Sequence, residues 1–238
     1  MKLIFQALFI TTALLISGCS IKTDVLTAQE SAALDNKTLV YIDHSELPDF
    51  VAQTATTVQF GIFGLASAID SGNTMIQEHN IKDPAIDIAK QLADELTAEH
   101  HVTVTHNKSN PINDEEIPVI TTQFKKYDYI LDVKTLGWGS IYFVSDWNNY
   151  RVLYNVHARL IDTHNAKVVA ENECSFDPKY EDTDKAPSYD DLEKGNGLAR
   201  ELKKAIKYCV NYIHEQANLS GKKIVVAAKK TSDEDDSL

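Results

Sequence analysis

Three stretches between Tyr127 and Phe176 alternate apolar and polar residues with a period of two, and a stripe of helical period follows them. Tyr127, Tyr129, Leu131 and Val133 share one side of the first stretch, and Val152, Tyr154, Val156, Ala158 and Leu160 share one side of the second. Successive side chains of a strand point to opposite faces, so each stretch reads as a strand with one buried side. Asp162-Thr163-His164-Asn165 is a polar turn, and Val168 to Phe176 returns antiparallel. Leu198, Leu202, Ala205, Ile206, Cys209 and Ile213 then fall on one side of a helix around 197 to 215. The second half is a meander closed by a helix.

The first half follows a different rhythm. Thr38 to Asp43 is a short β-branched and apolar run that suits a central strand. Asp83 caps a helix that has Pro84 in its first turn, and Ile86, Ala89, Leu92, Ala93 and Leu96 form its buried stripe. Val102 and Val104 begin another strand, and Asn107 to Pro118 reads as a polar, proline-punctuated connection. Together the halves predict an α+β fold: a two-layer sandwich with a mixed sheet of about five strands and helices packed on one face. One domain over 38–216 is expected, with a peripheral acidic tail over 217–238.

The amino terminus is an export leader. Met1-Lys2 precedes an apolar run from Leu3 to Ile16, too short to span a bilayer, and small residues follow. Ile16-Ser17-Gly18-Cys19 resembles a bacterial lipobox, which implies cleavage after residue 18 and acylation of Cys19. Two or three acyl chains anchor durably where one binds reversibly. Ser20 stands where an Asp would resemble an inner-membrane retention signal, so the resemblance implies the periplasmic face of the outer membrane. Residues 19–37 are small and polar and read as a flexible tether. The formal charge of −12, one unit more negative once Lys2 leaves, argues against nucleic acid as a partner.

Cys174 and Cys209 remain in an oxidising compartment, both on apolar faces. A strand-to-helix disulfide and two buried free thiols are both open.

Nineteen residues from Val51 to Ile69 carry no charge, bounded by Asp49 and Asp70. Gln53, Thr54, Thr56, Thr57 and Gln59 make the first half too polar for a membrane span, and Gly61 and Gly64 lack the spacing of a membrane-helix contact. Three readings stand for 51–76: a small-residue segment packed over the sheet, a docking or oligomer surface including Gly61, Phe63 and Gly64, or a membrane-inserting segment. A second candidate surface is the aromatic, glycine-bearing stretch 137–150, with Trp138 and Trp147 as anchors. Its alternative is an extra hairpin strand whose aromatics fill the edge of the core.

No catalytic constellation emerges. His100, His101 and His106 lack a paired His-Glu signature, and solvated imidazoles are the ordinary reading. Gly61 to Gly64 lacks the spacing of a phosphate loop, and no nucleophile elbow is present. Asp128 and Asp132 read as a solvated face of one strand. No metal and no cofactor are expected.

The hairpin Tyr154-Asn155-Val156-His157-Ala158-Arg159-Leu160-Ile161-Asp162, returning through Val168 and Val169, resembles one found in a group of periplasmic lipoprotein domains. That group includes the curli secretion lipoprotein, the exopolysaccharide-export lipoprotein and the amino-terminal domain of the Tol-system propeller protein. Gly61 to Asp70 is similar to a stretch in uncharacterised lipoproteins of this kind. The hairpin turn departs from the group in carrying Asn165-Ala166 where it has a glycine. The resemblance implies a non-catalytic interaction or assembly component of an envelope or secretion machine, held by Cys19, with an envelope protein or a second copy as partner. The alternative is a small-ligand-binding or hydrolytic lipoprotein with a pocket near 137–150.

Overall fold

The computed structural model describes residues 23–113 and 115–221. The expected leader, the lipobox-like residues with Cys19 and the acidic run near the carboxyl terminus lie outside the described residues. In chain order the elements are α1 (Ala28–Ala33), β1 (Thr38–His44), β2 (Phe50–Gln53), α2 (Ala55–Gln59), α3 (Gly61–Glu78), α4 (Pro84–His100) and β3 (Thr103–Ile112). There follow α5 (Ile117–Gln123), β4 (Tyr129–Phe143), β5 (Asp146–Asp162), β6 (Lys167–Phe176), α6 (Tyr189–Glu193) and α7 (Asn196–Gln216).

One mixed sheet organises the chain in the order β3-β1-β4-β5-β6. β1 runs parallel to both β3 and β4, and β4, β5 and β6 form the expected antiparallel meander. β2 extends the row of β1, pairing in parallel with the far half of β4 from Phe50↔Trp138 to Gln53↔Ile141. Alternation then sorts the side chains. Leu39 and Tyr41 join Leu131, Tyr154, Val156 and Leu160 beneath α4 and α7 in the main core. Val40, Ile42, Ile130 and Ile161 face the other way, where the short α5 contributes Ile120 to a smaller core beside Phe124.

α4 starts as expected, with the Asp83 side chain accepting the Ala85 N–H at 2.9 Å. Its buried stripe is Ile88, Ala89, Leu92, Ala93 and Leu96; Ile86, expected inside, is only half-buried. Cys174 of β6 and Cys209 of α7 are joined in a disulfide, with Cα atoms 5.5 Å apart.

Three expectations are corrected. Residues 103–112, the first part of which was expected to begin a strand and the rest to be loop, form one strand. β3 is an edge strand, where the missing N–H of Pro111 is tolerated. The described part of the tether is folded: Leu26 and Leu34 are buried, α1 carries a Thr27–Glu30 capping box, and Asp24 pairs with Glu171 on the edge of β6. The start of the supposed peripheral tail is equally built in, with Ala217 and Leu219 buried and Asn218 Nδ2 donating to the Leu26 carbonyl at 3.1 Å.

Candidate interaction surface

The charge-free run is split by the fold into an edge strand and two helices. Thr54 caps α2 with its side chain, and Gly61 begins α3 at φ 55°, a left-handed conformation that glycine adopts without strain. α3 is buried along a narrow stripe, Gly64, Ala68, Gly72 and Met75, with Gly72 against β2 and Gly64 against α2. The approach is close: a Cβ on Gly72 would land on the Phe50 carbonyl, and one on Gly64 on the Thr57 carbonyl. Asn73 secures the contact, accepting the Phe50 N–H at 3.0 Å and donating to Asp49 at 2.7 Å.

Because only that stripe is fully covered, with Ile69 half-buried and Ile76 half-buried against the main core, the start of the apolar helix faces outward. Ile62 is 78% exposed and Phe63 83%, with Val58, Phe60 and Leu65 exposed beside them. Ile62, Leu65, Ala66 and Ile69 recur at i, i+3, i+4 and i+7, the spacing of a buried helical stripe, yet none of them is buried. The opening stretch 61–66 is apolar on all sides, which is ordinarily a mark of enclosure; here the described residues enclose one side.

β2 runs parallel to β4, so the chain leaving Gln53 heads for the same end of the sheet as the β4–β5 turn. That turn adds Val144 and Trp147, which is 59% exposed and packs edge-on to Tyr142. A groove of about 310 Å³ lies between α3 and the strands β2, β4 and β5, lined by Val51, Leu65, Gly137, Gly139, Ile141 and Leu153.

The expected anchors are thus divided. Phe63 and Trp147 are presented at this end, and Gly61 is exposed at the helix start. Gly64 is buried as a packing residue. Trp138 is a correction: it is 5% exposed, stacks edge-on to Phe50 and donates its Nε1–H to the Pro48 carbonyl at 2.7 Å. The aromatic stretch 137–150 is no loop but the outer arm of the β4–β5 hairpin, so its side chains alternate between core and surface.

Asp132, expected on a solvated face, is 2% exposed. His44 Nε2 donates to its Oδ1 at 2.6 Å, and Arg159, directly opposite on β5, donates through Nε at 2.9 Å. Burial raises the Asp132 carboxyl, but the His44 hydrogen bond and the Arg159 charge outweigh it and leave its pKa below the ordinary range. The network clamps β1, β4 and β5 together; removing one partner of such a buried pair costs about 3–5 kcal/mol. Asp83, half-buried, is pushed the other way by desolvation and accepts the Thr135 hydroxyl at 2.5 Å.

The histidines do not converge. His100 is buried between Asp35 and the Leu219 carbonyl, joining both ends of the domain. His101 is the left-handed cap of α4, and His106 stacks on Tyr41 and pairs with Asp43. Sequence reasoning had no signal for His44 and Arg159, because the strand partner of Asp132 is set by register alone.

No family model and no curated protein matches the chain. Among solved structures, it is similar to a PelC dodecamer from Paraburkholderia phytofirmans at 14% identity and TM-score 0.35, covering 86% of this chain and 99% of that one. A protein from Xanthomonas campestris gives 8% identity and TM-score 0.40, covering 86% and 97%. A lipoprotein from Neisseria meningitidis gives 14% and 0.29, covering 75% and 99%. Likeness at this level carries no argument about role or assembly.

Proposed function

We propose that this protein is an envelope lipoprotein, anchored through Cys19 at the periplasmic face of the outer membrane, that works as a non-catalytic interaction component of a larger assembly. The observation that carries the reading is the charge-free, solvent-facing surface of Val58, Phe60, Ile62, Phe63 and Leu65. Contiguous exposed apolar surface of this kind marks an interaction site in a soluble domain. The lipobox supplies the reason to hold such a surface at one membrane.

Two variants test it. Cys19→Ala is expected to move the protein from the membrane to the soluble envelope fraction and to abolish its cellular role. Ile62→Asp with Phe63→Asp is expected to leave location and folding unchanged while removing co-purifying envelope proteins or copies. A surface variant that keeps its full set of associates would sink the reading.

A further inference from the structure

The occupant of the apolar end can be narrowed by asking what reaches it. Asp24 exchanges backbone hydrogen bonds with Glu171, which lies opposite Arg159 on β5. From Arg159 to Leu153, which lines the groove beside Leu65, β5 runs about 20 Å at the rise of a strand, and β6 stands three strand spacings, about 14 Å, from β2. The chain from Cys19 to Asp24 spans at most about 17 Å. The other end of the described chain, Gly221, sits against Ser31 of α1, and α1 is tied to Lys167 beside the β5–β6 turn. Ile224-Val225-Val226, the apolar stretch beyond it, reaches no more than about 20 Å from Gly221. That stretch therefore cannot cover α3.

Charge narrows the choice again. No Lys or Arg occurs from Thr38 to Ile81, while Asp70 and Glu78 lie on α3 itself. Helices that lie on bilayers carry cations toward the headgroups, and this one has none. An anionic partner would find no cation here to pair with. Two mature copies, each of charge −13 once Lys2 has left the −12 chain, repel wherever their acidic surfaces meet, so a face free of charge is where they can approach. The stripe Ile62, Leu65, Ala66 and Ile69 has the spacing for a helix to pack on its own copy about a two-fold axis.

We infer that α3 of one molecule packs against α3 of a second along Ile62, Leu65, Ala66 and Ile69, with Phe63 at the margin. This rests on the interaction reading above and specifies its partner. The test uses the full lipidated chain in cells, co-expressed with two different tags. Ala66→Cys with a short bis-maleimide is expected to give a product of twice the subunit mass containing both tags. Ile62→Asp is expected to weaken self-association by about tenfold or more in sedimentation of the Cys19→Ala chain. Formation of the Cys174–Cys209 disulfide in each variant reports that folding is intact. A crosslink to a different protein would overturn the second copy while leaving the interaction reading standing. No crosslink together with no co-purifying protein would remove both. Flotation of Cys19→Ala protein with neutral phosphatidylcholine vesicles, lost on Ile62→Asp, would overturn the inference in favour of a bilayer.

Discussion

Asp128 and Asp132 look alike in the sequence and differ completely in the fold. Asp128 accepts the Thr38 backbone N–H at 2.9 Å and its hydroxyl at 2.8 Å, and His164 at 3.0 Å. The Thr38 backbone hydrogen bond first, then His164, lower its pKa from 3.8 to about 2. A carboxyl depressed in the folded state stabilises it above the unfolded pKa, and that contribution is lost as pH falls from about 4 to about 2. Asp128→Asn should therefore lower the urea midpoint at pH 7, by at most about 0.4 M given solvent screening, and flatten the loss of stability between pH 4 and pH 2. Identical pH profiles for the two proteins would refute this. Asp132 shows why such residues resist reading: alternation shows which face it takes, but not that Arg159 and His44 close over it.

At the level of elements, strongly periodic segments were legible. β5, β6, α4 and α7 have many residues whose spacing repeats, so one or two exceptions do not hide the period. β2 has four residues, too few to show a period, and exists because β4 offers an unpaired edge beyond β1. The outer arm of the hairpin was obscured by Gly137 and Gly139, which suggest a loop but sit in paired strand, with a register shift between Thr135 and Gly137. α3 depends on the closeness of its seat on β2. Gly72→Ala should push the helix off the Phe50 carbonyl at a cost of about 1–3 kcal/mol. Hydrogen exchange is expected to quicken at Phe50–Gln53 and along α3 before it changes in β5; uniform protection throughout would show that the seat tolerates a methyl group.

At the scale of the whole molecule, the two ends of the described residues are joined to each other. The Leu26 N–H donates to the Ala217 carbonyl at 3.0 Å, Asn218 returns a bond to Leu26, and His100 binds the Leu219 carbonyl at 2.8 Å. The described parts of the segments that composition marks as tether and tail are thus one structural unit. Leu26→Ala should cost about 2–5 kcal/mol, the range for truncating a buried leucine, and denaturant titration would measure it. Unchanged stability would return residues 23–37 to the status of a tether.

The sequence by itself determined the strand meander, the two long amphipathic helices, the apolar faces of both cysteines and the uncharged run, because period and charge are properties of neighbouring residues. Only the tertiary structure decided that Cys174 meets Cys209, that Trp138 is core while Trp147 is surface, that Asp132 is buried, and that Ile62 and Phe63 stay outside. Each of these depends on which distant segment comes to lie against a side chain, and burial is a relation between segments that no local pattern encodes.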